Sequence, residues 1–201
     1  MLTRDISLND AILDLLDNCL DGALRSQNHI SQNKNEKNYN SFVAKITITK
    51  DNFTISDNCG GISRGLAENY AFRMGKQNYE QNHDATIGIY GIGMKRAIFK
   101  IGRSAIVSTK RGREAFSVTI PANWADTDND LSCLPYDGTT ISINDLTSGV
   151  AIQWGDQDAI DYFVESLISE IKASYSLIIE KGFTIYVNDH KVKANPIQLL
   201  L

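Results

Sequence analysis

Neither sign of charge dominates this chain: 20 Lys and Arg stand against 24 Asp and Glu, for a net charge of −4. That balance excludes the broad electrostatic grip of a strongly basic domain, so direct binding of nucleic acid is not expected. A local basic cluster of Lys95, Arg96, Lys100 and Arg103 reads as the solvated face of a helix. Cysteine is scarce. Cys19, Cys59 and Cys133 are odd in number and lack zinc-finger spacing, which argues for reduced thiols rather than a disulfide framework or structural zinc. No signal peptide, bilayer-length apolar run or internal repeat is present, and a soluble, cytoplasmic protein is expected. What is there is ordinary for a globular domain: 201 residues, 42% hydrophobic, enough for one domain with a proper core.

Periodicity places the elements. Residues 8–25, "LNDAILDLLDNCLDGALR", read as an amphipathic helix with Ser7 as its N-cap. The Asn-rich, aperiodic stretch 27–40 reads as a mobile loop. Strands are expected at 42–49 and 53–57, joined by an Asp51-Asn52 turn, and at 104–109, 114–120 and 139–145. Helices are expected near 64–73, at 92–101 and at 158–179. The stretch 183–192 reads as a last hairpin with an Asn188-Asp189 turn. The final "NPIQLLL" leaves apolar residues that suggest further protein beyond this domain.

Three stretches carry chemistry. On the first helix, at about 100° per residue, Asp14, Asn18, Asp21 and Arg25 fall within roughly 60° of arc. Ile12, Leu16, Leu20 and Ala23 form the opposite, core-facing side. The stripe suits either a solvated face with an Asp21–Arg25 pair or a divalent cation with an activated water, because Mg²⁺ takes oxygen ligands and needs few from protein. In "ISDNCGGIS", Asp57 ends an apolar strand before Gly60 and Gly61. It reads as a turn-bonded aspartate or as an acceptor aimed at an exocyclic amino group, with Gly61 letting the chain pass a flat base. In "GIYGIGMK", Gly88, Gly91 and Gly93 precede Lys95. The stretch misses the P-loop, with Met94 where lysine is required, and misses the dinucleotide fingerprint, with Arg96 in place of glycine. A tight loop and a phosphate cradle both remain open on these residues alone.

The order "DLLDNCLDG", "SDNCGGI", "GIYGIGMK", "GTTISINDL", over about residues 8–145, resembles the GHKL, or Bergerat-fold, ATPases. These include gyrase B, the heat-shock-ninety chaperones, MutL, MORC proteins and histidine kinases. Asp14, Asn18 and Asp21 match the first motif, E-x-x-x-N-x-x-D; Asp57 and Gly61 match the second, D-x-G-x-G. Gly88, Gly91 and Gly93 match the glycine lid, and Gly138 with Thr139 the strand-opening Gly-Thr. The resemblance implies an α+β, two-layer α/β sandwich spanning residues 1–201, its mixed, mostly antiparallel sheet covered by helices on one face. It also implies ATP and Mg²⁺ as cofactors. Asn18 would hold the Mg²⁺ and Asp14 activate water. Asp57 would accept from the adenine amino group, with a water shared by Thr139 and Gly61. Gly91 and Gly93 would donate to phosphates, Lys95 add charge near them, and Met74 line the base pocket. A lid over 75–93 that orders on ATP is expected.

Two departures matter. Asp14 stands where the family has Glu, shortening reach by about 1.5 Å, and misplacing a base by that much can cost on the order of 10²-fold. Cys59 replaces a motif glycine and requires an ordinary negative φ there. Slow ATP hydrolysis driving a conformational or dimerisation switch, through a homodimer or partner engaged by a following region, is the leading expectation. A nucleotide-sensing module with negligible hydrolysis is the alternative. A histidine kinase is disfavoured, since no phospho-accepting His precedes residue 8, and a plain interaction domain would leave four ordered motifs to chance. The superfamily serves DNA repair, chromatin-like compaction, chaperoning and defence against phage, and a following domain would separate these cases.

Overall fold

The computed structural model describes residues 6–30, 38–68, 72, 90–120, 128–129 and 136–195. The first helix, α1 (Leu8–Ile30), opens with a reciprocal cap: Asp10 N donates to Ser7 Oγ at 3.0 Å and Ser7 N to Asp10 Oδ2 at 3.2 Å. It runs five residues past the expected end. Gln27, expected in a loop, is buried in the helix and its Nε2 donates to the Asn38 carbonyl at 2.6 Å. That tertiary bond extends a helix whose polar sequence gives no such signal.

Strands β1 (Val43–Ile48) and β2 (Phe53–Asp57) follow, then a short α2 (Arg64–Leu66) where a helix over 64–73 was predicted. Helix α3 (Tyr90–Ile101) leads directly into β3 (Gly102–Arg111), β4 (Glu114–Ile120), β5 (Asp128–Asn129) and β6 (Gly138–Leu146). Helices α4 (Ser148–Gln153) and α5 (Gln157–Glu180) precede β7 (Thr184–Val187) and β8 (His190–Lys191). The predicted Asn-Asp turn joins the last two strands, with Asn188 at φ 43° and Asp189 at φ 65°, the positive values a two-residue hairpin requires. Both α4 and β5 went unread in the sequence; six and two residues are too few to show a period.

The strands form one sheet in the order β5-β4-β3-β6-β2-β1-β7-β8. All neighbours are antiparallel except β1 with β7. This is the mixed, mostly antiparallel α+β sandwich that was expected. Register aligns Val187, Ile46, Ile55, Ile141, Val107 and Val118 in one row across the sheet, on the face packed by α1, α3 and α5. A slip of one residue would turn that row to solvent, a loss on the order of 10 kcal/mol at about 1.5–3 kcal/mol per side chain. The opposite face is rich in hydroxyls, for example Ser56, Thr140, Ser108 and Ser117.

The next row on the core face differs. It reads Ile185, Ala44, Asp57, Thr139, Thr109, Phe116. Three adjacent strands thus place three polar side chains side by side, each buried, at one end of an otherwise apolar surface. Burying polar groups there requires that they be paired, which is where chemistry can begin.

Candidate nucleotide site

Asp57 is 8% exposed. Its Oδ1 accepts from the Cys59 amide at 2.7 Å, and the nearby Thr139 amide and Cys19 thiol, the latter donating to the Leu15 carbonyl at 3.5 Å, also favour the charged form. Burial outweighs these donors and the nearby Arg25 charge, and pushes the carboxyl up to about 6. At neutral pH it is mainly an acceptor. The two thiols beside it, Cys19 and Cys59, are pushed up by burial and by that carboxylate, so they stay protonated. Cys59 keeps a negative φ, and its side chain replaces a glycine without backbone strain.

Thr109, which the sequence reading missed, organises the neighbouring hydroxyls. Its Oγ1 donates to the Gly138 carbonyl at 3.1 Å, accepts from the Ile62 amide at 2.8 Å, and lies 3.1 Å from Thr139 Oγ1. With its one proton engaged, Thr109 receives the Thr139 proton, and Thr139 keeps lone pairs for the cavity. No local pattern marks Thr109 out from other strand threonines; only register puts it beside Thr139.

Two glycines are fixed by close approach. Gly61 sits at φ +65°, and a Cβ there would lie 1.9 Å from the Lys110 carbonyl oxygen. A Cβ on Gly138 would lie 2.0 Å from the Asp57 carbonyl oxygen. Above this floor a cleft is walled by Leu15, Asn18, Cys19, Ile55, Met94 and Ile141, with Asp57, Gly61 and Thr139 at its base. Apolar walls and a few convergent polar groups are the makeup of a small-molecule site.

The stripe on α1 faces this cleft in part. Asp14, Asn18, Asp21 and Arg25 are all half-buried, and Asn18 and Arg25 line the cavity. Asn18 Nδ2 donates to the Asp14 carbonyl at 3.0 Å, which orients the amide and leaves Oδ1 for a ligand. Asp14 is raised by burial and by Asp17, with Arg96 pulling the other way. Asp21 is raised by burial against the opposing charge of Arg25. Behind the stripe, the Tyr175 hydroxyl on α5 donates to Asp17 Oδ1 at 2.6 Å and so ties α5 to α1.

The glycine stretch is only partly described. Met74 and Gly88 lie outside the described residues, as does the expected lid up to residue 89. Gly91 and Gly93 fall in the first turns of α3 rather than in a loop, because the helix begins at Tyr90. Free amides of a helix N-terminus suit an anion as well as a loop does. The basic cluster is not a solvated face. Lys95 is buried, with its ammonium pushed down by burial, Arg96 and Lys100 are half-buried, and only Arg103, which lies in β3 rather than on the helix, is exposed.

The profile of the family described as "Histidine kinase-, DNA gyrase B-, and HSP90-like ATPase" matches residues 6–150, most of the chain. The chain belongs to this ATPase family. No curated protein matches it. The match runs from the start of α1 through β6 and therefore takes in every wall of the cleft. Among the described residues of this family member, no helix is long and apolar enough to cross a membrane. Nor does any cluster there of three or more His, Cys, Asp and Glu suit a metal. The Asn18 amide oxygen in this cleft is the kind of hard donor that Mg²⁺ takes.

Proposed function

We propose that residues 1–201 form a single domain that binds Mg·ATP in this cleft and hydrolyses it slowly. The observation that carries the reading is Asp57, one buried carboxylate on the floor of an apolar-walled cavity. An acceptor there suits the exocyclic amine of adenine and repels the six-position oxygen of guanine. Thr139 and Gly61 flank the same spot and would share a water with the base. From the base, the phosphates would run past Asn18 toward the N-terminal turns of α3, where Gly91 and Gly93 would present amides. Asn18 Oδ1 would be the protein ligand of an Mg²⁺, whose charge would offset that of the phosphates.

Asp14 would take a proton from water as the water oxygen bonds the terminal phosphorus and the bond to the ADP oxygen breaks. Burial makes Asp14 a better proton acceptor than an exposed aspartate. Its short side chain limits reach, so turnover should fall far below the enzyme median of about 10 s⁻¹. That same short reach favours a second reading, a nucleotide sensor with negligible hydrolysis. Nucleotide binding would then switch conformation, homodimerisation or contact with a partner through a following region. Calorimetry with ADP and GDP tests the base assignment: ADP should bind and GDP should bind at least tenfold more weakly. Equal affinities would remove the adenine reading.

A further inference from the structure

Helix α3 carries two adjacent cations, and only one is placed to meet the reacting end of a nucleotide. The Cβ direction of Gly93 points at Asp14 Oδ2, 3.9 Å away, so this face of α3 lies over the aspartate. Arg96 is three residues on and shares that face, whereas Lys95 is turned well away from it by the helical angle. The Arg96 charge acts on Asp14, which confirms the proximity from the other side. Its Nε is buried and has no hydrogen-bond partner among the described residues. A buried guanidinium N–H without an acceptor is costly, and such a group calls for an anion.

We infer that Arg96 is the residue of this chain that grips the terminal phosphate of a nucleoside triphosphate, at the point where Asp14, Gly93 and α3 converge. This rests on the proposed ATP site. Asp14 can only accept hydrogen bonds when ionised, and it cannot face a terminal phosphate without a counter-charge between them. A planar guanidinium supplies that charge and can donate two parallel bonds to phosphate oxygens, a geometry that lysine does not reproduce. Lys95, buried and turned away from the side of α3 that faces Asp14, is a poorer candidate for the same contact. In a diphosphate the third phosphate is missing, and Arg96 would then contribute little. The residue therefore distinguishes ATP from ADP.

The test is titration calorimetry on the 201-residue chain with Mg·ADP and with Mg and a non-hydrolysable ATP analogue. Arg96→Ala should leave ADP affinity within about twofold and weaken the analogue by about tenfold or more, the effect of one lost charge-assisted contact. Arg96→Lys should recover part of that loss. ADP binding doubles as the check on folding; if Arg96→Ala loses ADP as well, Arg96→Gln, close in length and uncharged, gives the reading instead. An analogue-to-ADP affinity ratio that stays at the parental value in the variant that retains ADP binding overturns the inference alone. A parent chain that binds neither nucleotide overturns the ATP reading of the cleft.

Discussion

Replacing Asp57 by Asn should move stability and binding in opposite directions. In the ligand-free chain the Asp57 carboxyl titrates at about 6 against an ordinary 3.8, so keeping it ionised costs about 3 kcal/mol at neutral pH. The sign follows from proton counting. Between those values the folded chain holds a proton that the unfolded chain has released, so Asp57 favours folding most below pH 3.8. That contribution is lost as pH rises through about 6 and stays lost above it. Asn removes the charge penalty. It also turns one acceptor into a donor facing the Cys59 amide, the Thr139 amide or the Cys19 thiol, at about 1–3 kcal/mol. The net expectation at pH 8 is a variant as stable as the parent or up to about 2 kcal/mol more stable, with a flatter pH dependence near 4–6. ADP affinity, in contrast, should fall by about tenfold to a hundredfold, because two donors would meet at the base. In the parent, affinity should also fall as pH drops below about 6, where the acceptor is protonated. Urea denaturation at pH 5 and 8, paired with ADP calorimetry, reads both quantities. A variant that binds ADP within twofold of the parent would refute the assignment of Asp57 to adenine, whatever its stability.

Thr109→Val should destabilise the fold by about 1–3 kcal/mol, since the Ile62 amide and Gly138 carbonyl lose their buried partner, and chemical denaturation measures this. An unchanged midpoint would show that these bonds are replaced. Gly61→Ala should cost at least about 1–3 kcal/mol from the positive φ alone, and more from the clash with Lys110, again read by denaturation. Asp14→Asn should abolish residual ATP hydrolysis while leaving ADP affinity within about threefold, as followed by phosphate release and calorimetry. Hydrolysis at the parental rate would leave the sensor reading in its place. Asn18→Ala should remove the Mg²⁺ dependence of nucleotide binding, checked by titrating ADP with and without the metal.

Some of this protein is determined by rules that act within a few residues. The Ser7 cap, the stripe of Asp14, Asn18, Asp21 and Arg25, the apolar alternation of β2 and β6, and the Asn188-Asp189 turn all follow from helical angle, strand period or backbone sterics. They could be read directly; the order of the α1 stripe, Asp57 with Gly61, the glycine stretch and Gly138 with Thr139 was what pointed to the ATPase family. Other features depend on what lies across the chain. Gln27 is helical because Asn38 accepts from it, and α3 begins at Tyr90 although Gly91 and Gly93 disfavour helix. Thr109 joins the site because burial of the Ile46 row sets a register that brings β3 beside Thr139. The choice of Arg96 over Lys95 turns on which side of α3 meets α1, and neither lysine nor arginine carries that information in its neighbours. Helical spacing is a local property of the backbone. Strand register and helix rotation minimise the exposed area of the whole core, so only the folded chain decides them.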